Sequence, residues 1–166
     1  ALAKILALRE LDLEWHLIGH LQSNKCRDAA ENFDWVQSLD RARLIEPLSR
    51  HRPDARPPLN ILIQVNADGE AGKSGCAPTE IAALAQAVAA APSLCLRGLM
   101  AIPEPTPDFS QRRQNFRQLR AWFDQLRGEY PGIDTLSMGM SEDFTLAIEE
   151  GATMVRIGSA LFGPRS

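Results

Sequence analysis

Helical and strand-like segments alternate along this chain, and that alternation restricts the fold more than any other sequence feature. Apolar residues recur with helical spacing in some segments and form short, nearly continuous runs in the segments between them. Strands are predicted for residues 14–19, 34–39, 59–66, 94–103, 133–140 and 153–163. Helices are predicted for residues 1–11, 21–33, 41–51, 78–92, 109–130 and 141–151. Largely apolar strands separated by helices indicate an α/β protein with a parallel sheet covered by helices.

Six predicted strands leave two architectures open. A doubly wound α/β sheet can stop at six strands, whereas a (β/α)8 barrel needs eight strands to close. If the fold is a barrel, about six of its eight βα units are present, and the chain starts within the helix after the second strand. The first residue is Ala1 rather than Met, which fits that expectation. The 166 residues are enough for one hydrophobic core, so we expect a single domain over residues 1–166.

Charge and cysteine content exclude several classes of protein. A formal net charge of −3 provides no electrostatic footprint for nucleic acid or for an anionic membrane. The sequence has no apolar run long enough to span a bilayer and nothing that resembles a signal peptide. Its cysteines are Cys26, Cys76 and Cys95, an odd number without a CxxC pair, which favours free thiols over disulfides or a zinc site. We therefore expect a soluble, cytoplasmic protein without a metal site.

Small and hydroxyl-bearing residues follow the last two predicted strands. The stretch LSMGMSED has Gly139 and Ser141 where one strand ends, and RIGSALFG has Gly158 and Ser159 where the next one ends. Glycine allows an anion to approach backbone N–H groups, and a helix N-terminus adds partial positive charge. Barrels often bind phosphate on the loops after their last two strands, so this pair of turns predicts a phosphate site.

A purely structural explanation stays open for the same residues. Ser141 can serve as a helix N-cap only, and Gly158 can serve only to relieve packing. In addition, Glu142 and Asp143 can satisfy the dipole of the helix that follows, which argues against an anion there.

Arg156 lies within an apolar run and strengthens the expectation of a ligand. The stretch MVRIGSALFG predicts a buried strand, with apolar side chains at Val155, Ile157, Ala160, Leu161 and Phe162. On such a strand Arg156 and Gly158 share one face, because side chains alternate. A buried guanidinium needs a partner, and no acidic residue neighbours it on that strand. We therefore expect a polar ligand to bind beside Arg156 and the bare backbone of Gly158.

Five motifs, in the same order along the chain, make the sequence resemble the YggS/PROSC family, the pyridoxal 5′-phosphate (PLP) homeostasis proteins. The motifs are WHLIGHLQSNK, IQVN followed by KSG, LRGLMAIP, LSMGMSED and MVRIGSALFG. The resemblance covers essentially the whole chain. It implies a TIM-type (β/α)8 barrel of the alanine racemase N-terminal-domain kind, here incomplete. It also implies PLP as cofactor, a role in vitamin B6 supply and amino-acid balance, and no established catalytic reaction.

Carried over to this sequence, the resemblance assigns contacts to the cofactor. It places the PLP phosphate on Ser141, on the backbone around Met140, and on Gly158 and Ser159. It places Arg156 opposite the pyridine nitrogen. A permanent cation facing that nitrogen keeps it unprotonated, so the ring is a weak electron sink. No catalytic residue is expected.

The family's Schiff-base lysine has no counterpart in this chain. The resemblance places that lysine near the end of the first strand of the barrel, in a segment before Ala1. Lys4 and Lys25 fall on predicted helices, and Lys73 falls on a glycine-rich loop. We therefore expect an incomplete copy of the site, with weak, non-covalent PLP binding. Two open sheet edges would also favour aggregation or strand addition.

The stretch ADGEAGKS, residues 67–74, satisfies a loose P-loop pattern. Asp68 and Glu70 would face the triphosphate, and the following helix begins only at Pro78, too far along to bind phosphate at Lys73. An ordinary strand-to-helix loop explains the stretch better.

Other polar residues receive a structural interpretation. His16 is predicted to be a hydrogen-bonded core histidine rather than a ligand or base. Asn24 and Lys25 are predicted to be exposed helix residues rather than part of a barrel mouth. The basic residues Arg112, Arg113, Arg117 and Arg120 recur with helical spacing. They predict a solvated helix face, with Phe116, Leu119 and Phe123 pointing inward.

Three functions are compatible with this pattern. A PLP-binding, carrier-like protein without turnover is favoured, with apo PLP enzymes as candidate recipients and a monomer as the full-length form. A racemase-like PLP enzyme needs a tyrosine base from a further domain, and Tyr130 precedes a strand at the wrong end of the barrel. A barrel enzyme acting on a phosphorylated metabolite explains Ser141 and Gly158 but has no obvious acid–base pair.

Overall fold

A computed structural model describes residues 1–67, 74–103 and 106–163 of the chain. These residues form the strands β1 (His16–Leu17), β2 (Trp35–Leu39), β3 (Leu59–Gln64), β4 (Leu94–Met100), β5 (Thr135–Met140) and β6 (Met154–Arg156). The α-helices are α1 (Leu2–Ala7), α2 (Cys26–Asn32), α3 (Ile45–Arg50), α4 (Ile81–Ala89), α5 (Phe109–Glu129), α6 (Phe144–Glu149) and α7 (Ser159–Phe162). Short 3₁₀ turns, Ser23–Lys25, Ala42–Leu44 and Pro78–Glu80, precede α2, α3 and α4. Most of the P-loop-like stretch, including Lys73, lies outside the described residues.

The strands form one parallel sheet, and their spatial order β1-β2-β3-β4-β5-β6 is the same as their order in the sequence. This order excludes a doubly wound sheet, in which the order reverses at a switch point. Right-handed crossovers that all progress in one direction place the connecting helices on one face, as in a barrel. The prediction of an incomplete (β/α) barrel is therefore confirmed. Within the described residues, β1 pairs only with β2 and β6 only with β5, so both edges are open.

Side chains on the two faces of the sheet enter separate apolar clusters. Residues such as Ile63 and Leu136 on the outer face pack with Leu84 of α4 and Phe116 of α5. On the inner face, Trp35, Leu62 and Met100 form a second, smaller cluster. The alternation along each strand also turns several polar side chains inward, and these are Gln37, Gln64 and Ser137. The inner face therefore combines a small apolar layer with buried polar groups.

The predicted strand over residues 153–163 is wrong beyond Arg156. The strand β6 ends at that residue, and the chain turns into the short helix α7. Leu161 and Phe162 are 71% and 87% exposed rather than buried. As an edge strand, β6 has hydrogen-bonding partners on one side only, and the backbone of Gly158 (φ −121°, ψ −76°) leaves the extended region. Gly158 therefore does not lie beside Arg156 on a strand.

The long helix α5 forms as predicted and packs with its expected apolar face. Asp108 caps its first turn by accepting hydrogen bonds from the backbone N–H groups of Ser110 (2.8 Å) and Gln111 (3.2 Å). Its inward residues are buried as expected, namely Phe116, Leu119 and Phe123. On the predicted solvated basic face, Arg117 is exposed, whereas Arg112, Arg113 and Arg120 are half-buried. Arg113 and Arg117 also form ion pairs with Glu150, which follows the last residue of α6. None of the helices in the described ranges is long and apolar enough to cross a bilayer.

Arg52 is a buried cation whose donors are used by backbone carbonyls. Its Nη1 atom donates to the carbonyl oxygens of Ala30 (2.7 Å) and Phe33 (2.8 Å), and its Nε atom donates to that of Pro57 (2.8 Å). Burial lowers the pKa of Arg52, although it stays protonated near neutral pH. This side chain therefore joins the end of α2 to the loop that precedes β3.

Replacing Arg52 with methionine should lower the free energy of unfolding by about 2–4 kcal/mol, because buried carbonyls lose their donors. Urea denaturation of both forms measures the loss. Arg50→Met is the matched control, because Arg50 is exposed and its partners, Glu46 one turn earlier and the adjacent His51, are side chains rather than buried carbonyls. Its expected effect is within about 0.5 kcal/mol. Equal losses in the two variants would show that Arg52 does not support the α2 junction.

Candidate functional site

A cavity of about 1040 Å³ opens at the carboxyl end of the sheet. Its wall is built by strand residues and by the turns that follow β4, β5 and β6. The wall consists of His16, Ile18, Gln37, Ile102, Pro103, Arg112, residues 140–143, residues 154–159, Phe162 and Gly163. The structure brings together the five predicted site residues on this wall, which are Met140, Ser141, Arg156, Gly158 and Ser159. Their role as cofactor ligands stays a prediction.

Ser141 joins the turn after β5 to the turn after β6. Its Oγ atom accepts hydrogen bonds from the backbone N–H groups of Gly158 (3.3 Å) and Ala160 (3.2 Å). The N-cap position of α6 is Asp143, so the explanation of Ser141 as a simple N-cap is wrong. The hydroxyl of Ser141, which follows β5, and two backbone donors that follow β6 therefore converge at the cavity wall.

The two glycines of these turns have different roles. Gly139 has a φ of +91°, and a Cβ atom there would lie 2.5 Å from the Cβ atom of Ala147. It therefore allows β5 to pack closely against α6. A Cβ atom at Gly158 would meet no heavy atom within 4 Å, so its backbone faces open space. Of the two, only Gly158 provides the backbone access that an anion needs.

The negative residues of the first turn are partly engaged. The Oδ1 atom of Asp143 accepts a hydrogen bond from the backbone N–H of Met140 at 2.7 Å. That N–H group is consequently occupied in this structure. Glu142 also lies on the cavity wall. An anionic ligand would be held mainly by Ser141 and by the turn after β6.

Arg156 presents a cation to the cavity without contacting a carboxylate among the described residues. Its Nη1 atom donates to the Oγ atom of Ser137 at 2.8 Å, and its Nη2 atom donates to the carbonyl oxygen of Ala101 at 2.8 Å. Burial lowers the pKa of Arg156 to about 10, and the nearby charge of Asp143 acts in the opposite direction. The side chain is therefore a cation at neutral pH with neutral hydrogen-bonding partners.

His16 is hydrogen-bonded as predicted, but it lies half-buried on the cavity wall rather than in the core. Its ring stacks on Trp35 with centroids 5.1 Å apart and an interplanar angle of 11°. The Nδ1 atom lies 2.9 Å from Nε2 of Gln37, and the Nε2 atom lies 3.6 Å from Oε2 of Glu14. The histidine thus forms one side of the site.

No lysine among the described residues reaches the cavity. Lys4 is exposed on α1, and Lys25 is exposed in a 3₁₀ turn, where its Nζ atom lies 3.9 Å from Oδ2 of Asp28. Asn24 is exposed as well, so both residues of that turn are as predicted. Lys73 lies outside the described residues.

Three wall or near-wall residues were not predicted from the sequence. Gln37 and Ser137 are buried polar residues in apolar strands, which is the same pattern that singled out Arg156. That pattern could have identified them. Arg112 lines the cavity near the start of α5. Its helical spacing with neighbouring arginines had predicted a position on a solvated helix face instead.

Comparison with known proteins identifies the family. The family described as alanine racemase, N-terminal domain, matches residues 2–166. A pyridoxal phosphate homeostasis protein from Pseudomonas aeruginosa is 54% identical over 165 residues, which are 99% of this chain and 70% of the relative. The chain belongs to the pyridoxal phosphate homeostasis protein family. The family member from Escherichia coli K12 is 52% identical over 153 residues, which are 92% of this chain and 65% of that relative.

Solved structures agree with this assignment. PipY from Synechococcus elongatus PCC7942, solved with PLP bound, is 37% identical, with a TM-score of 0.84 over 98% of this chain and 77% of PipY. Alanine racemase from Corynebacterium glutamicum is 18% identical, with a TM-score of 0.73 over 99% of this chain and 46% of that enzyme. At that identity, the racemase shares only the fold. The resemblance of the motifs to the pyridoxal phosphate homeostasis family is confirmed.

Proposed function

We propose that this chain binds PLP non-covalently in the cavity and takes part in PLP homeostasis without catalytic turnover. The observation that carries this proposal is the meeting of Ser141 with the N–H groups of Gly158 and Ala160 on a wall that also presents Arg156. Its relative PipY, solved with PLP bound, supports PLP as the ligand.

The residues present fit the two polar ends of PLP. The phosphate would bind to the hydroxyl of Ser141 and to the backbone of Gly158 and Ser159, and it would replace Ser141 Oγ as the acceptor of the Gly158 N–H group. The pyridine nitrogen would face Arg156, whose guanidinium group can only donate hydrogen bonds. Bound PLP supplies an electron-withdrawing ring, and a permanent cation beside the nitrogen weakens that property by opposing ring protonation. The site would thus hold the cofactor without promoting carbanion chemistry.

The position of the tyrosine also favours binding over racemisation. Tyr130 ends α5 and packs against the outer apolar cluster, on the far side of the sheet from the inner face. It is not part of the cavity wall. A racemase-like mechanism would need a base that this tyrosine cannot provide from there.

The wider setting of the protein is also part of the proposal. Residues 1–166 would form most of a single barrel domain, and apo PLP enzymes would be the recipients of its cofactor. Cys26, Cys76 and Cys95 are free cysteines, which suits the reducing cytoplasm.

The Ser141→Ala variant should bind PLP about tenfold more weakly than the unaltered chain, because the phosphate loses a hydroxyl donor. Calorimetric titration with PLP measures the two dissociation constants. Ser110→Ala, which removes an exposed hydroxyl from the first turn of α5, is the control and should bind as the unaltered chain does. Equal affinity of the Ser141→Ala variant and the unaltered chain would contradict the phosphate assignment. Binding of ribose 5-phosphate without binding of PLP would instead favour an enzyme for phosphorylated metabolites.

A further inference from the structure

A chain of hydrogen bonds crosses the inner face of the sheet from Arg156 to His16. The Nη1 atom of Arg156 donates to Ser137 Oγ at 2.8 Å, and Ser137 Oγ donates to Gln37 Oε1 at 2.7 Å. The Nε2 atom of Gln37 lies 2.9 Å from His16 Nδ1. Ser137 is 0% and Gln37 is 2% exposed, so water does not reach the middle of this chain.

The direction of each hydrogen bond follows from the groups involved. A guanidinium only donates, so Ser137 must accept from Arg156, and its single hydrogen is directed to the oxygen of Gln37. The amide nitrogen of Gln37 then faces two acceptors, His16 Nδ1 and the Sδ atom of Met154 at 3.2 Å. His16 therefore accepts at Nδ1, which leaves the hydrogen of the neutral ring on Nε2, toward Glu14. The donors and acceptors along this series of hydrogen bonds, from Arg156 to His16, therefore have one consistent assignment.

This series of hydrogen bonds joins strands that are not neighbours in the sheet. Gln37 is on β2 and Ser137 is on β5, with β3 and β4 between them. Their side chains meet only because the sheet curves around its inner face. The guanidinium of Arg156 is consequently held at two points, by the hydroxyl of Ser137 and by the carbonyl oxygen of Ala101 at 2.8 Å.

We propose that Ser137 and Gln37 are positioning residues that hold the guanidinium plane of Arg156 toward the cavity. Gln37 acts through Ser137, because its oxygen directs the serine hydrogen away and leaves the serine lone pairs for Arg156. The consequence for PLP binding rests on the proposed function, in which Arg156 faces the ring nitrogen. The fixed orientation of Arg156 in the ligand-free chain does not depend on it.

Side-chain ¹⁵N NMR of the ligand-free chain tests the orientation directly. A guanidinium held at two points rotates slowly and shows separate Nη resonances, whereas a free one shows averaged resonances. Arg156→Lys assigns the signals of Arg156. Ser137→Ala and Gln37→Met should average them, whereas Gln37→Glu should keep them separate, because the carboxylate still accepts from Ser137. The resonances of Arg52, held by Ala30 and Phe33, are the internal reference and should persist throughout.

Ser38→Ala is the matched control for loss of a buried serine hydroxyl. Ser38 lies next to Gln37 on β2, is 1% exposed, and donates to the carbonyl oxygen of Gly19 instead. It should leave the Arg156 resonances unchanged. Separate Arg156 resonances in both Ser137→Ala and Gln37→Met would overturn the proposal, as would averaging in Ser38→Ala. If Ser137→Ala does not fold, the contrast between Gln37→Met and Gln37→Glu decides.

Ligand titration then separates this inference from the proposed function. Ser137→Ala and Gln37→Met should weaken PLP binding about tenfold, which corresponds to loss of one well-oriented hydrogen bond. Binding of inorganic phosphate should be unchanged, because it would use Ser141 and not Arg156. Failure of the unaltered chain to bind PLP would refute the proposed function, and the NMR result would still decide whether Ser137 and Gln37 position Arg156.

Discussion

Replacing Gly98 with alanine is expected to destabilise the folded chain by more than about 3 kcal/mol, a large part of the stability of an ordinary domain. Gly98 lies in β4 opposite Thr135 of β5, and a Cβ atom there would lie 1.9 Å from the carbonyl oxygen of Thr135. The φ of +147° is also one that residues with a side chain rarely adopt. Because the Cβ atom would clash with a backbone carbonyl, which cannot turn away as a flexible side chain can, the two strands would have to separate.

Urea denaturation followed by circular dichroism measures this effect. Gly128→Ala is the matched control, because Gly128 lies near the end of α5 and a Cβ atom there meets no heavy atom within 4 Å. That variant should be as stable as the unaltered chain or up to about 1 kcal/mol more stable, because alanine favours the helix. Equal midpoints for Gly98→Ala and the unaltered chain would contradict the close approach of β4 and β5.

Replacing Arg156 with methionine should weaken PLP binding without lowering the stability of the folded chain. PLP should bind about tenfold to hundredfold more weakly, because a charged hydrogen bond to the ring nitrogen is lost. Stability should be unchanged or higher at neutral pH, because burying a guanidinium that contacts no carboxylate among the described residues costs free energy that methionine does not. The loss of the donor to Ala101 partly offsets this gain.

The lowered pKa of Arg156 supports the expected sign. Its folded value of about 10 lies below its ordinary value of 12.5. Between these values the unfolded chain binds more protons, so stability should rise with pH there. At neutral pH both states are protonated, and the cost of burying the cation is fully present. Removal of the cation therefore removes that cost.

Calorimetric PLP titration and urea denaturation of the same preparations provide both readouts for Arg156→Met. Arg127→Met, at the exposed last turn of α5, is the control for loss of one positive charge and should change neither readout. Arg156→Lys retains the charge but cannot hold the same two-point geometry, so intermediate affinity is expected. Unchanged PLP affinity in Arg156→Met would refute the placement of the ring nitrogen at Arg156.

Much of the architecture could be predicted because it depends on local patterns. Apolar periodicity identified the helices and strands. Gly151, the last residue of the helix predicted over residues 141–151, has a φ of +92° and follows the C-cap residue Glu150 of α6. The last segment was predicted incorrectly, because its apolar residues fit a strand and a short exposed helix equally well. The structure decided between them, because β6 ends at Arg156 and residues Ser159–Phe162 form the short helix α7.

The candidate site shows the same division. A cation within an apolar run and hydroxyls after two strands identified Arg156, Ser141 and Ser159 from residue type alone. The connection of Ser141 to Gly158 and Ala160, and that of Gln37 to Ser137, could not be predicted. Those contacts join residues far apart in the sequence, and they depend on the curvature of the sheet.

By itself, the sequence determined the alternation of helices and strands, the parallel sheet, and the polar residues that the strands carry inward. Only the tertiary structure decided that the strands follow one another in order rather than reversing, and which inward polar groups meet. The physical reason is that periodicity is a property of neighbours along the chain. Strand order and side-chain contact depend instead on how crossovers and sheet curvature bring distant segments together.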